Sequence, residues 1–280
     1  MSMKKFRKIY LEISNVCNLK CRFCPGTRRT PHVMTEAEFS ALLPKLRPWT
    51  EYLYFHLMGE PLCHPQLEKF LSLAGDAGFK VIITTNGTLL QKRQDILLHA
   101  FGLHKVNISL HAFEANDLNM PFEDYLAQCL AFGQAAEGKK LVVYRLWNQG
   151  GENEKNTAIL SALHNAFPGE WITEPRGTRI GQRVYLEYGD KFDWPDLNAP
   201  DGGNAVFCYG LRDQIGVLCD GTVVPCCLDH EGDIPLGNLY TQSLEDILET
   251  PRAKAIYEGF RNKKAAEELC RKCGYAKRFG

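Results

Sequence analysis

In KIYLEIS (8–14) the apolar residues Ile9, Leu11 and Ile13 fall at every second position, the period of a strand. Thr35 and Glu38 then form a capping-box pattern for a helix running to about Leu46. YLYFHL (52–57) predicts a second strand, and PQLEKFLSLAGDAG a helix ending near Gly78. KVIITT (80–85) predicts a third strand and QKRQDILLHAFG a third helix. KVNISL (105–110) is a fourth strand, followed by a helix over 122–136. KKLVVYRL (139–146) is a fifth strand, Asn153 caps a helix to about Phe167, and QRVYLEY (182–188) is a sixth strand.

Strands alternating with helices imply βαβ units and a parallel sheet. Without a GxGxxG turn, this succession suits an open or partial (β/α)6 barrel better than a dinucleotide-binding sheet. In such barrels the loops after the strands form the active face. The polar stretches fall there: CNLKCRFC after the first strand, MGEP after the second, NGT after the third and SLH at the end of the fourth. The pattern then changes. KFDWPDLNAPDGGNA (191–205) reads as a linker. IGVLCDGTVVPCC carries Asp-Gly between two apolar runs, a hairpin signal. SLEDILETPRAKAIYEGFRN is helical in two pieces broken at Pro251, and CRKC follows. The expected organisation is a core over 1–200 and a small hairpin-plus-helix unit over 201–280, with no internal repeat.

The bulk numbers exclude some classes. The 280 residues are 45% hydrophobic and 24% charged, the profile of a soluble globular protein. Lys plus Arg equals Asp plus Glu at 33 each, so no global field favours nucleic acid or an anionic membrane. The N-terminal MSMKKFRKIYLEIS lacks the apolar stretch of a signal peptide, and no run approaches the ~18 apolar residues of a membrane span. A cytoplasmic location is the expectation. Eleven cysteines, an odd number, then point to metal binding rather than structural disulfides.

Cys17, Cys21 and Cys24 sit in a polar loop with Asn15, Asn18, Lys20 and Arg22, which argues against packing. Three thiolates fall short of a closed zinc site and suit an iron–sulfur cluster with one open iron, although zinc stays open at this point. The Cx3Cx2C spacing with Phe23 before the last cysteine resembles the signature of the radical S-adenosylmethionine (SAM) superfamily. MGEP (58–61), TTNGT (84–88) and ISL (108–110) resemble that family's further motifs in order, with Met58 in place of a glycine. The resemblance spans about 9–190. It implies that Cys17, Cys21 and Cys24 hold a [4Fe–4S] cluster. The resemblance also implies that SAM bound to that cluster is cleaved to a 5′-deoxyadenosyl radical, which abstracts hydrogen from a C–H bond. It further implies that backbone around Gly59, Glu60 and Pro61 meets the SAM amino group. Asn86 and Ser109 would contact ribose or carboxylate, Arg145 the carboxylate, and Phe23 the adenine.

Cys208, twelve residues, Gly221, four residues and Cys226 resemble the opening of the SPASM auxiliary-cluster family, and CRKC (270–273) resembles its next CxxC. The shortened, twitch-like form implies one auxiliary [4Fe–4S] cluster on Cys208, Cys226, Cys270 and Cys273. Length and spacing are most similar to radical SAM dehydrogenases that oxidise an amino-cyclitol alcohol. Cys227 alternates away from its ligand neighbour and is a candidate hydrogen-atom donor or a buried hydrophobe. Glu187 and Lys191 are candidate bases, with Asp190 beside them. His56, His64 and His111 are candidate substrate contacts or satisfied histidines, while Cys63, Cys129 and Cys219 read as structural. The expected reaction is oxidation of a small molecule or peptide, the auxiliary cluster accepting an electron and a flavodoxin or ferredoxin supplying the reductant. No nucleic-acid or membrane partner is expected. Redox-neutral epimerisation with Cys227 as donor is the alternative, and a zinc-binding interaction protein is the alternative of another class.

Overall fold

The structure, a computed structural model, describes residues 6–175 and 177–279, without the side chains of Lys277 and Phe279. The first half alternates strand and helix: β1 (Lys8–Leu11), α1 (Glu36–Leu46), β2 (Tyr52–Tyr54), α2 (Leu67–Asp76), β3 (Lys80–Thr85), α3 (Leu90–His99) and β4 (Leu103–Ser109). Then follow α4 (Phe122–Ala136), β5 (Leu141–Gln149), α5 (Asn156–Ala166), β6 (Ile172–Glu174), β7 (Gly177–Gly181) and β8 (Val184–Asp190). The C-terminal part holds β9 (Gln214–Val217), β10 (Thr222–Val224), β11 (Gly237–Asn238), α6 (Leu244–Leu248), α7 (Pro251–Arg261) and α8 (Glu268–Arg271).

One sheet runs in the order β11-β10-β9-β1-β2-β3-β4-β5-β8-β7-β6. Its centre is the six-stranded parallel run β1-β2-β3-β4-β5-β8, the partial barrel that the alternating pattern predicts. Two additions flank it. Antiparallel β6 and β7 extend β8; three-residue β6 has a half-exposed Ile172 and no periodicity to betray it. On the other edge β9 pairs parallel with β1, so the hairpin β9–β10 continues the barrel sheet itself.

Local chemistry explains the helix ends. Thr35 and Glu38 close a reciprocal capping box at α1. Thr250 caps α7 with Pro251 at its first turn. Asn153 does not cap α5. The capping position is Lys155, without a side-chain bond, and Asn153 only accepts the Asn156 N–H through its carbonyl at 3.1 Å.

Strand alternation sorts the two faces of the sheet. Ile9, Leu53, Val81, Ile83, Val106, Ile108, Val142 and Val184 are fully buried against the helix layer. Burying each such side chain contributes about 1.5–3 kcal/mol. The opposite face is the inside of the curved sheet. There Tyr10 lies opposite Tyr54, Ser109 opposite Arg145, and Arg145 opposite Glu187.

Candidate active site

The three-thiol loop leaves β1 and is tied down on both sides. Asn15 closes its base, donating to Thr30 O at 2.9 Å and accepting from His32 N at 2.7 Å. Asn116, from the segment after β4, accepts from Lys20 N at 3.1 Å and donates through its amide nitrogen to Cys21 Sγ at 3.1 Å. Leu19 N donates to Cys17 Sγ at 3.4 Å. Asn18 accepts from Asn86 Nδ2 and donates to Thr88 Oγ1, both at 2.9 Å. Burial pushes the Cys17 thiol up to about 12 and raises Cys21 and Cys24 as well. A bound cation would offset this and favour the thiolates.

MGEP packs directly beneath this loop. Gly59 has φ +77, and a Cβ there would collide with the Ser14 carbonyl oxygen and come within 3.0 Å of Val16 O. Only glycine permits that approach. Glu60 N donates to Val16 O at 2.9 Å. The Glu60 carboxylate is buried and accepts from Leu62 N at 3.0 Å and Asn86 N at 2.8 Å, so it joins the second and third loops. Burial outweighs these bonds and raises its pKa to about 7. Pro61 opens a short 3-10 turn over Pro61–Cys63. Asn86 Oδ1 accepts from Thr88 N and Thr88 Oγ1. The Phe23 ring packs 5.0 Å from His111. Both ring nitrogens of His64 are engaged, with Met34 O and Gln66 N, so that histidine is structural.

Inside the barrel, Ser109, Arg145 and Glu187 stand side by side on β4, β5 and β8. Arg145 Nε donates to Glu187 Oε2 at 2.9 Å, and the guanidinium lies 4.6 Å from the Trp147 ring centre. Its terminal nitrogens meet no acceptor among the described residues. Tyr10 packs 4.9 Å from Tyr54 and 5.4 Å from His56, ring centre to ring centre. Burial, then Arg145 and Lys8, lower His56 to about 3, so it is neutral, and its Nδ1 is unpartnered. Cys227 packs against the cluster of Tyr10, Leu57, Leu218 and Val224 on this face. Lys191 is not brought into the row: it is exposed and lies against Gly151. Asp190, at the strand end, is exposed too.

Cys208, Cys226, Cys270 and Cys273 line one cavity of about 300 Å³ with Phe260 and Leu269. Burial pushes Cys208 up to about 11 and Cys226 and Cys270 higher still. Gly210 N donates to Cys208 Sγ at 3.3 Å. Among the described residues no three His, Cys, Asp or Glu side chains converge as a single metal ion would need. Four thiols spread round a cavity suit a polynuclear cluster, whose thiolates each bind a separate iron. Cys219, Cys63 and Cys129 do not line the cavity. Lys8, the first residue of β1, does line it, whereas the three-thiol loop follows the strand's other end. β1 therefore has one thiol set at each end.

Sequence reasoning missed Lys8, Tyr10, Glu12 and Tyr54 in the strands, and Asn18, Thr88 and Asn116 in the loops. The strand residues had a signal in their alternation; the loop amides had none.

Residues 11–168 match the radical SAM superfamily, and residues 208–274 match an iron–sulfur cluster-binding domain, SPASM. The S-adenosyl-L-methionine-dependent 2-deoxy-scyllo-inosamine dehydrogenase of Niallia circulans is 23% identical over 96% of this chain and 93% of its own. Among solved structures, BtrN with AdoMet and 2-DOIA superposes with TM-score 0.62 at 21% identity, covering 97% of this chain and 94% of BtrN. Streptococcus suis SuiB gives TM-score 0.65 at 14% identity, over 97% of this chain and 72% of SuiB. At these identities the superpositions speak for the fold. Because the superfamily match takes in more than half of the sequence, and the cysteine-bearing end matches the second domain, this chain belongs to the radical SAM superfamily, with SAM and iron–sulfur clusters as its cofactors.

Proposed function

We propose that this chain is a radical SAM dehydrogenase that oxidises a hydroxyl-bearing carbon of a small polar molecule. In this reading Cys17, Cys21 and Cys24 hold the SAM-binding [4Fe–4S] cluster. Cys208, Cys226, Cys270 and Cys273 hold one fully ligated auxiliary cluster. When bound, these groups supply a hydrogen-abstracting 5′-deoxyadenosyl radical and an electron acceptor. The observation that carries the reading is the Arg145–Glu187 pair on the inner face of the sheet, whose first strand has a thiol set at each end. Arg145, anchored through Nε, keeps its terminal donors for a substrate oxygen. Glu187 has a second carboxylate oxygen able to take the hydroxyl proton as the carbon becomes a carbonyl. The hydrogen on carbon and the proton on oxygen both leave, a two-electron oxidation. Half-buried Trp147 covers the guanidinium and narrows the space beside it. The Niallia circulans relative, named as a dehydrogenase of 2-deoxy-scyllo-inosamine, supports the substrate class. A flavodoxin or ferredoxin as reductant belongs to the same proposal.

The test is turnover of anaerobically reconstituted enzyme with SAM, reductant and a panel of amino and neutral polyols. The expected result is 5′-deoxyadenosine with a carbonyl product, lost in Glu187→Gln and weakened at least tenfold in Arg145→Lys. One observation favours a second reading, epimerisation: Cys227 packs against the cluster that contains Tyr10 on the inner face. An inverted carbon carrying solvent deuterium, abolished by Cys227→Ala, would establish epimerisation and overturn the oxidation. A zinc content near two per chain with no SAM cleavage would overturn both.

A further inference from the structure

We propose that Lys8 is the counter-ion of the auxiliary cluster and sets its reduction potential, a role that rests on the four-thiol cavity holding that cluster. Lys8 starts β1 and lines the cavity of Cys208, Cys226, Cys270 and Cys273. Its ammonium lies 5.1 Å from the ring centres of both Tyr10 and Tyr54, the two tyrosines on the lumen side. It therefore stands where the lumen and the cavity meet.

The charges around it leave it without an anion. Among the described residues two cations line the cavity, Arg7 and Lys8. Arg7 is largely exposed and pairs with Asp213 at 3.8 Å. Asp213 is shared with Arg212 at 3.0 Å. The buried Asp229 carboxylate is spent on Asp233 N at 2.8 Å and Ile234 N at 2.9 Å. Glu187, across the lumen, is bound to Arg145. Among the described residues no carboxylate reaches ion-pair distance of the Lys8 ammonium. The tyrosine faces attract it without neutralising it. Burial lowers its pKa, with Cys227, Glu187 and Asp213 pulling the other way and Arg145 adding to the fall.

A four-iron cluster on four thiolates has a net negative charge, and its potential rises when positive charge lies nearby. The cluster would supply the charge that Lys8 lacks. In return Lys8 would stabilise the reduced cluster, the state formed when an electron arrives from the lumen.

The experiment is an EPR-monitored redox titration of reconstituted holoenzyme, with and without SAM, for wild type, Lys8→Met and Lys8→Arg. The signal that changes on adding SAM reports the N-terminal cluster; the other reports the auxiliary one. The expected result in Lys8→Met is an auxiliary midpoint moved to more negative potential with the N-terminal midpoint unchanged. Lys8→Arg should restore most of the shift. Lys8→Gln, neutral but polar, carries the same expectation as Met should that variant fold poorly. An unchanged auxiliary midpoint, or equal shifts in Met and Arg, overturns the role. The failures separate: iron near four per chain, indifferent to Cys270→Ala, sinks the cavity reading and Lys8 with it. Iron near eight with an unmoved midpoint sinks Lys8 alone. An unmoved midpoint with weaker binding of anionic substrates would assign Lys8 to a substrate anion instead.

Discussion

Arg29 grips Glu12 at two points, Nη1 to Oε2 at 2.8 Å and Nη2 to Oε1 at 2.6 Å, with the carboxylate fully buried. The same carboxylate accepts from Met58 N and Cys219 N, each at 3.1 Å. Arg29 Nε donates to His230 O at 2.8 Å. One ion pair thus fastens the exit of the three-thiol loop to the MGEP loop and to the C-terminal hairpin. Glu12→Gln leaves the half-buried guanidinium without its anion, and loss of one partner of such a pair costs about 3–5 kcal/mol. The expected outcome is a matching fall in unfolding free energy and lower iron content after reconstitution. A variant as stable as wild type would show that the clasp contributes nothing.

Gly59 and Gly26 both have positive φ, +77 and +68, but differ in surroundings. A Cβ at Gly59 meets backbone of Ser14 and Val16, while at Gly26 it meets nothing within 4 Å. Gly26→Ala should cost only the backbone term, about 1–2 kcal/mol, and keep SAM cleavage. Gly59→Ala must push the MGEP loop away from the three-thiol loop, and SAM cleavage should fall at least tenfold. Single-turnover release of 5′-deoxyadenosine by the two variants is the comparison; equal effects would dismiss the packing argument.

Asn116 has its orientation set by its partners, because its oxygen accepts from Lys20 N and its nitrogen must then face Cys21 Sγ and Ala112 O. A hydrogen bond to a cluster sulfur raises the cluster's potential. Asn116→Leu should therefore move the midpoint of the SAM-responsive EPR signal to more negative values while the auxiliary midpoint stays. Loss of iron without any midpoint shift would reduce Asn116 to a support for the loop.

These partnerships show why some of the site was legible in the chain and some was not. The cysteines declare themselves by local spacing, and the strand–helix alternation fixes which loops share one end of a barrel. Ile9, Leu11 and Ile13 identify β1 by period two, and the same period sends Lys8, Tyr10 and Glu12 to the other face. In a strand covered by helices on one side, that polar face lines a lumen, a consequence readable from seven residues. Asn116 gave no such signal, since its link to Cys21 spans 95 positions and depends on the path after β4. Lys191 follows Glu187 closely in sequence, yet β8 has ended at Asp190 and the lysine turns to solvent. The edge strand β6 has too few residues for any period to register.

His111 supplies a pH dependence with a definite sign. It is buried under Phe23, with Nδ1 3.1 Å from Arg145 O, and burial lowers its pKa to about 4. In the unfolded chain a histidine titrates near 6.5. Between these values the unfolded state binds more protons, so stability rises with pH across this window. The contribution of neutral His111 is fully present above about 6.5 and is lost as pH falls toward 4. From pH 7 to 5.5 the loss amounts to about 1 kcal/mol. His111→Gln cannot take up that proton, so its stability should fall less than that of wild type over the same interval. Denaturant unfolding of both proteins at pH 7 and 5.5 provides the check. Parallel losses would mean that His111 is not held neutral in the folded protein. A larger loss in the variant would reverse the sign and place a charged histidine beside Arg145, where two cations would have to share one face of the lumen.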